Sequence, residues 1–191
     1  MTIRSFLAFE LPPDIKREID RISREVRRSN LNARWVKTEN IHLTVIFMGN
    51  ISEDEIPDIG TEVGKVCADF GPFDISLAGI GLFPDIRRPR VIWMGIDGEI
   101  KRLAYFRDTL QNSLKPFGIK IEKRRYSPHL TLGRFKKAVK GRSLLEDLVT
   151  RYRDIKGPMG LLNDLVLFRS DLKPDGARYS RIASWPLSGL Q

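Results

Sequence analysis

His42-Leu43-Thr44-Val45 and His129-Leu130-Thr131-Leu132 are one tetrad written twice, at an offset of 87 positions (42 to 129). The same offset carries Phe6-Leu7-Ala8-Phe9-Glu10 onto Trp93-Met94-Gly95-Ile96-Asp97, apolar or small on apolar or small and acid on acid. It moves a helix expected near Pro13 onto one expected near Ile100. It also brings the helix after Ser52 close to the one after Ser143, and lays residues 75–81 over 162–168. One register that aligns several elements in order marks a duplicated chain. The expected architecture is α+β: two strand–helix–strand–helix–strand halves, roughly 1–86 and 87–191, within a single domain of 1–191. Mainly antiparallel sheets are expected around a central cleft with pseudo-twofold symmetry, helices outside.

Local patterns fill in the elements. Residues 3–11 read as a strand stopped by Pro12-Pro13. The next helix has Ile15, Ile19, Ile22 and Val26 on one stripe, with Arg17, Arg21, Arg24, Arg27 and Arg28 off it. That basic face either touches RNA or is simply solvated. Strands are expected at 41–48, 73–83 and 90–97, then a helix over 99–117. Strand-like residues 119–125 precede a strand at 129–135, and two last strands at 161–169 and 178–185 flank the turn Lys173-Pro174-Asp175-Gly176. Ser52 with Glu55, and Ser143 with Glu146, each read as a helix-opening capping box.

Composition narrows the function classes. The chain has 191 residues, 33 Lys and Arg against 24 Asp and Glu, and a net charge of +9. Of the basic residues 21 are Arg, whose planar fork suits phosphate, so the surplus reads either as a face for a polyanionic partner, nucleic acid first, or as a solubilising surface. The lone Cys67 excludes an internal disulfide, and the apolar run after Met1 is too short for a signal peptide or a membrane span. The expectation is a cytoplasmic monomer that does not engage membranes.

The tetrads hold the chemistry. On a strand, residues i and i+2 share a face, so His42 points with Thr44 and His129 with Thr131, while Leu43, Val45, Leu130 and Leu132 enter the core. A pseudo-twofold axis between them lines one cleft with two imidazoles and two hydroxyls. That set suits a phosphodiester. One neutral His takes a proton from the attacking oxygen, one charged His protonates the leaving oxygen, and the Thr hydroxyls donate to non-bridging oxygens. These are the only two His in the chain. A metal site needs a third ligand, and no acid stands at i±2 of either His, although an Asp or Glu from elsewhere in the fold stays open. No G-x-S-x-G motif and no Walker-type glycine loop is present. By the same parity Arg125 and Ser127 share the face of His129 if the strand continues back past Pro128. Asn40, two residues before His42, either orients that imidazole or serves a turn.

Paired H-x-T-x tetrads on a duplicated chain resemble the two-histidine (2H) phosphoesterase superfamily. Within it the chain is similar to the bacterial and archaeal RNA 2′,3′-cyclic phosphodiesterases, also called 2′-5′ RNA ligases. The likeness covers Arg4-Ser5-Phe6-Leu7-Ala8, residues 35–49, Gly81-Leu82-Phe83-Pro84, residues 89–95, Pro128 to Arg134, Leu167-Phe168-Arg169-Ser170, Gly176 and Tyr179. The resemblance implies hydrolysis of a terminal RNA 2′,3′-cyclic phosphate to a 2′-phosphate without metal, ATP or other cofactor, with tRNA fragments among the candidate substrates. It also implies 2′-5′ ligation as a minor activity. It makes His42 the proton donor and His129 the proton acceptor, with Thr44 and Thr131 on the phosphate. Arg134 and Tyr179 join as family-pattern positions; Arg125, placed by strand parity and not by the family pattern, is either a phosphate or nucleotide contact or a surface Arg near a strand end. The rival from another class is a basic RNA-binding module without chemistry.

Overall fold

Helix α1 (Pro13–Arg27) starts with Pro13, whose missing N–H costs nothing in a first turn, and buries Ile15, Ile19, Ile22 and Val26 completely. Its basic face is self-paired: Arg17 meets Asp14, Arg21 meets Glu18 and Glu25, and Arg24 meets Asp20. This face is therefore a solvated lattice of i,i+3 and i,i+4 pairs, each worth about 0.3–0.5 kcal/mol. The computed structural model describes residues 1–136, 139, 141–174 and 176–189.

Nine strands form two antiparallel sheets among the described residues. They are β1 (Thr2–Glu10), β2 (Ala33–Trp35), β3 (His42–Ser52), β4 (Phe73–Phe83), β5 (Val91–Gly98), β6 (His129–Phe135), β7 (Met159–Leu162), β8 (Asp164–Lys173) and β9 (Gly176–Pro186). The first sheet has the order β3-β1-β8-β9 and the second β2-β6-β5-β4-β7. The offset of 87 maps β3-β1-β8 onto β6-β5-β4, so the two sheets share one plan. The other helices are α2 (Ile56–Ala68), α3 (Ile100–Leu114) and α4 (Arg142–Arg151). Helix α3 begins and ends 87 positions after α1. The sheets also exchange strands: β4 follows β3 in the chain but pairs in the second sheet, and β8 follows β7 of the second sheet but pairs with β1 in the first.

Most buried apolar side chains form one core, including Leu43, Val45, Leu130 and Leu132 from the tetrads. A small separate cluster of Phe6, Ala8, Val166 and Phe168 lies on the opposite face of the first sheet, capped by Tyr179. The Ser52–Glu55 capping box forms and opens a short 3₁₀ turn leading into α2. No described helix is long and apolar enough to cross a membrane.

Three expectations are corrected. Residues 119–125 form no strand, because side chains of α3 take their backbone groups: Gln111 Oε1 accepts the Glu122 N–H at 2.7 Å and Arg107 donates to the Glu122 carbonyl at 2.9 Å. Ser143 does not cap α4, which starts two residues earlier than that cap requires, from Gly141 in a left-handed conformation (φ 104°), while Glu146 pairs with Arg142 at 2.8 Å. The single strand expected at 161–169 is two. Leu162 pairs with Phe73 in the second sheet and Leu165 with Phe9 in the first, so the chain changes sheets around Asn163. In the last hairpin Lys173 faces Gly176 across the turn, and Asp175 lies outside the described residues.

Candidate active site

Both tetrads open their strands: His42 is the first residue of β3 and His129 the first of β6. In each, the aliphatic second and fourth residues are buried and the His and Thr are half-buried on the other face, as strand parity requires. The two strands lie in different sheets and face one cleft, close enough for the His129 charge to act on His42.

The imidazoles are held alike. Nδ1 of His42 lies 2.9 Å from the Asn40 carbonyl, and Nδ1 of His129 lies 2.8 Å from the Ser127 carbonyl. A carbonyl only accepts, so Nδ1 carries the proton in both rings and Nε2 is left for a ligand. Asn40 therefore does orient His42, through its main chain, from the 3₁₀ turn Thr38–Asn40. Both imidazoles titrate below the usual histidine value. Burial is the main cause in each, opposed by the carbonyl bond, with the Arg134 charge pushing further in the same direction as burial.

Each imidazole rests against aromatic rings. Phe6 stacks on His42 at 4.7 Å between centroids, with Tyr179 edge-on at 5.2 Å. Phe83 meets His129 edge-on at 4.9 Å, and Trp93 stands 6.1 Å away. Phe6 and Trp93 are the same position under the repeat. In the first sheet Phe6 pairs across strands with Phe168, in the second Trp93 pairs with Gly81, and the indole occupies the space a side chain at 81 would need.

A pair of bulges decides what else faces the cleft. Thr44 pairs with Ala8 and Ile46 with Leu7, which leaves Val45 extra; Thr131 pairs with Trp93 and Gly133 with Ile92, which leaves Leu132 extra. An extra residue reverses the alternation beyond it. Phe47 and Arg134, each five residues after its His, thus return to the cleft, where simple parity puts them on the opposite face. Arg134 is exposed, and its charge reaches both imidazoles. Phe47 is 53% exposed, with the Arg4 guanidinium 4.7 Å from its ring centre.

Two cavities meet at Thr44 and Phe47. One, of about 860 Å³, is lined by His42, Arg4, Arg34, Arg134 and Tyr179; the other, of about 870 Å³, by His129, Ser127, Arg125, Arg90 and Phe83. Arg125 thus lines the same cavity as His129, though it stands on an irregular segment and the strand argument for it fails. Sequence reasoning missed Phe47, Phe83 and the carbonyl of Ser127 as parts of this site. The equivalence of 47 with 134 was the available signal. No cluster of three His, Cys, Asp or Glu among the described residues is arranged to hold a metal. Cys67 is buried, and its thiol is pushed up to about 12, which leaves it inert as a nucleophile.

A model of the LigT-like phosphoesterases matches the chain twice, over residues 9–93 and 95–179. The chain belongs to this family. The RNA 2′,3′-cyclic phosphodiesterase of Methanothermobacter thermautotrophicus is 31% identical over 180 residues, covering 94% of this chain and 96% of that protein. The enzyme of the same description from Methanocaldococcus jannaschii is 31% identical over 183 residues, 96% of this chain and 100% of the other. Among solved structures, a Thermus thermophilus protein superimposes with a TM-score of 0.83 at 24% identity, covering 99% of this chain and 100% of that one. Escherichia coli LigT in complex with 3′-AMP gives 0.77 at 21%, covering 98% and 99%. These two share the fold.

Proposed function

We propose that the protein is an RNA 2′,3′-cyclic phosphodiesterase that opens a terminal cyclic phosphate to a 2′-phosphate. The observation that carries this reading is the pair of imidazoles, each with Nδ1 tied to the carbonyl two residues back and Nε2 left free, bordering two cavities that meet at Thr44 and Phe47. His129 Nε2 takes a proton from water as the water oxygen bonds to phosphorus. The bond from phosphorus to O3′ breaks, and His42 Nε2–H protonates the departing oxygen. Thr44, Thr131 and Arg134 meet the charge that grows on the non-bridging oxygens. Both imidazoles are depressed in the free site, and the anionic phosphate favours the charged form His42 needs.

The two limbs of the cleft, of nearly equal volume, also support 2′-5′ ligation. A 5′-hydroxyl seated on the His129 side replaces water in the same displacement. Arg125 and Arg90 on that side, and Arg34 and Tyr179 on the other, line the path of the strands. The wider reading is a cytoplasmic monomer acting on RNA fragments, tRNA pieces among them. The +9 charge and the lack of any disulfide suit it. It works as one unit of repeats near 1–86 and 87–191, each supplying one His, and the strand exchange between sheets supports that unity.

The test is incubation with adenosine 2′,3′-cyclic phosphate in EDTA, with the product identified. A 2′-phosphate is expected. A 3′-phosphate overturns the regiochemistry, loss of turnover in EDTA overturns metal independence, and unchanged cyclic nucleotide favours a binding module.

A further inference from the structure

The two tetrad strands share no ladder, yet the chemistry needs their imidazoles at a fixed separation. Among the described residues one hydrogen bond joins β3 to residues 118–135: the Tyr126 hydroxyl donates to the Thr44 carbonyl at 2.8 Å. Burial pushes that hydroxyl above the ordinary tyrosine range, so it stays a donor at any working pH. The ring is seated by α3. The Arg107 guanidinium lies 5.5 Å from its centre, and Arg107, only 6% exposed, is itself held by Asp108 at 2.7 Å and by the Glu122 carbonyl. Gln111 holds the Glu122 N–H from the same helix.

Tyr126 therefore stands where two requirements meet. Its partner carbonyl belongs to Thr44, whose side chain faces the phosphate. Its own main chain leads into Ser127, whose carbonyl sets the His129 ring. We propose that Tyr126 is a positioning residue that fixes the distance between the two H-x-T-x tetrads, by tying the Thr44 main chain to the segment that carries His129. The inference rests on the two-histidine mechanism, in which both imidazoles act on one phosphate. It assigns no contact between Tyr126 and substrate.

Tyr126→Phe keeps the ring on Arg107 and deletes the tie. With the tetrads free to separate by a fraction of an ångström to about 1 Å, kcat is expected to fall roughly 10- to 100-fold. KM for adenosine 2′,3′-cyclic phosphate should stay within about twofold, because the groups that bind phosphate remain. The second readout needs no substrate. The chain has two His, so two imidazole signals are followed by NMR as pH is varied. The charge of one depresses the other, and separation weakens that coupling, so the two titrations should draw together in the variant. Wild-type kcat with unchanged imidazole titrations overturns the proposal, as does a rise in KM without loss of kcat. A lower melting temperature alone, with kinetics and titrations as in the wild type, reduces Tyr126 to a structural residue and overturns it as well. Turnover by the wild type decides the mechanism separately, and the titrations decide Tyr126 whatever that result.

Discussion

Replacing Gly81 with alanine drives a methyl group into the floor beneath His129. A Cβ at this position would lie 2.2 Å from Cζ2 of Trp93, 2.3 Å from Cη2 and 2.7 Å from Cε2. Ordinary contact begins at 3.4 Å, so the indole must retreat by 3.4 less 2.2, or 1.2 Å. It cannot do so freely, because Phe83 lies 4.8 Å from it and His129 6.1 Å away, with Phe83 also touching His129. Overpacking of this kind costs roughly 1–3 kcal/mol. For a chain of this length that lowers the melting temperature by about 2–12 °C. If the shift reaches His129, a displacement near 1 Å reduces turnover by up to about 10²-fold. The assay is kcat on a 2′,3′-cyclic nucleotide beside a thermal melt, for Gly81→Ala, Trp93→Phe and the double variant. Phenylalanine removes the second ring that causes the clash, so the double variant should resemble Trp93→Phe alone, with a coupling energy of about 1–3 kcal/mol. Wild-type stability and turnover in Gly81→Ala, or strictly additive losses in the double variant, refute the argument.

His42→Ala and His129→Ala should each lower kcat by about 10²- to 10⁴-fold and leave the melting temperature nearly unchanged, since both side chains are only half-buried; full activity in either removes it from the mechanism. The profile of kcat/KM against pH should be a bell centred below the usual histidine value of 6.5, because both imidazoles are depressed in the free site, and a maximum well above neutrality contradicts this. Stability follows the same sign. The unfolded chain protonates its histidines first as pH falls past about 6.5, so their contribution is intact above that value and is lost below it; denaturant melts from pH 8 to 5 should show a smaller fall in the double His→Ala variant. Arg134→Gln should cut kcat by roughly 10- to 10³-fold and move both imidazole titrations upward by removing a repelling charge, and unchanged titrations place the Arg134 charge elsewhere.

Much of this site is local in the chain and therefore legible from it. Alternation alone places His42 with Thr44 and Leu43 with the core, and the apolar stripe of α1 predicts its buried face residue by residue. What escaped depends on partners distant in sequence. The bulges at Val45 and Leu132 exist only relative to β1 and β5, so the inward turn of Phe47 and Arg134 has no local signature. Residues 119–125 alternate like a strand but lose their backbone groups to Arg107 and Gln111 of the preceding helix. The break at Asn163 reflects two different sheets claiming Leu162 and Leu165. Gly141 displaced the Ser143 cap because a left-handed residue started the helix two positions sooner.

The exchanged strands set a timetable for synthesis. Phe6, the ring beneath His42, pairs with Phe168, which leaves the ribosome 162 residues later (6 to 168). At about 5–20 residues per second, β1 waits roughly 8–30 s with one edge unsatisfied. The second sheet's β6-β5-β4 block is complete by Phe135, well before β8 arrives. The nascent chain can therefore assemble the His129 wall first, and the floor under His42 closes only when β8 slides in beside β1. Until then an apolar strand edge is open to any neighbouring chain, which makes the second half of translation the period when this fold most needs shielding.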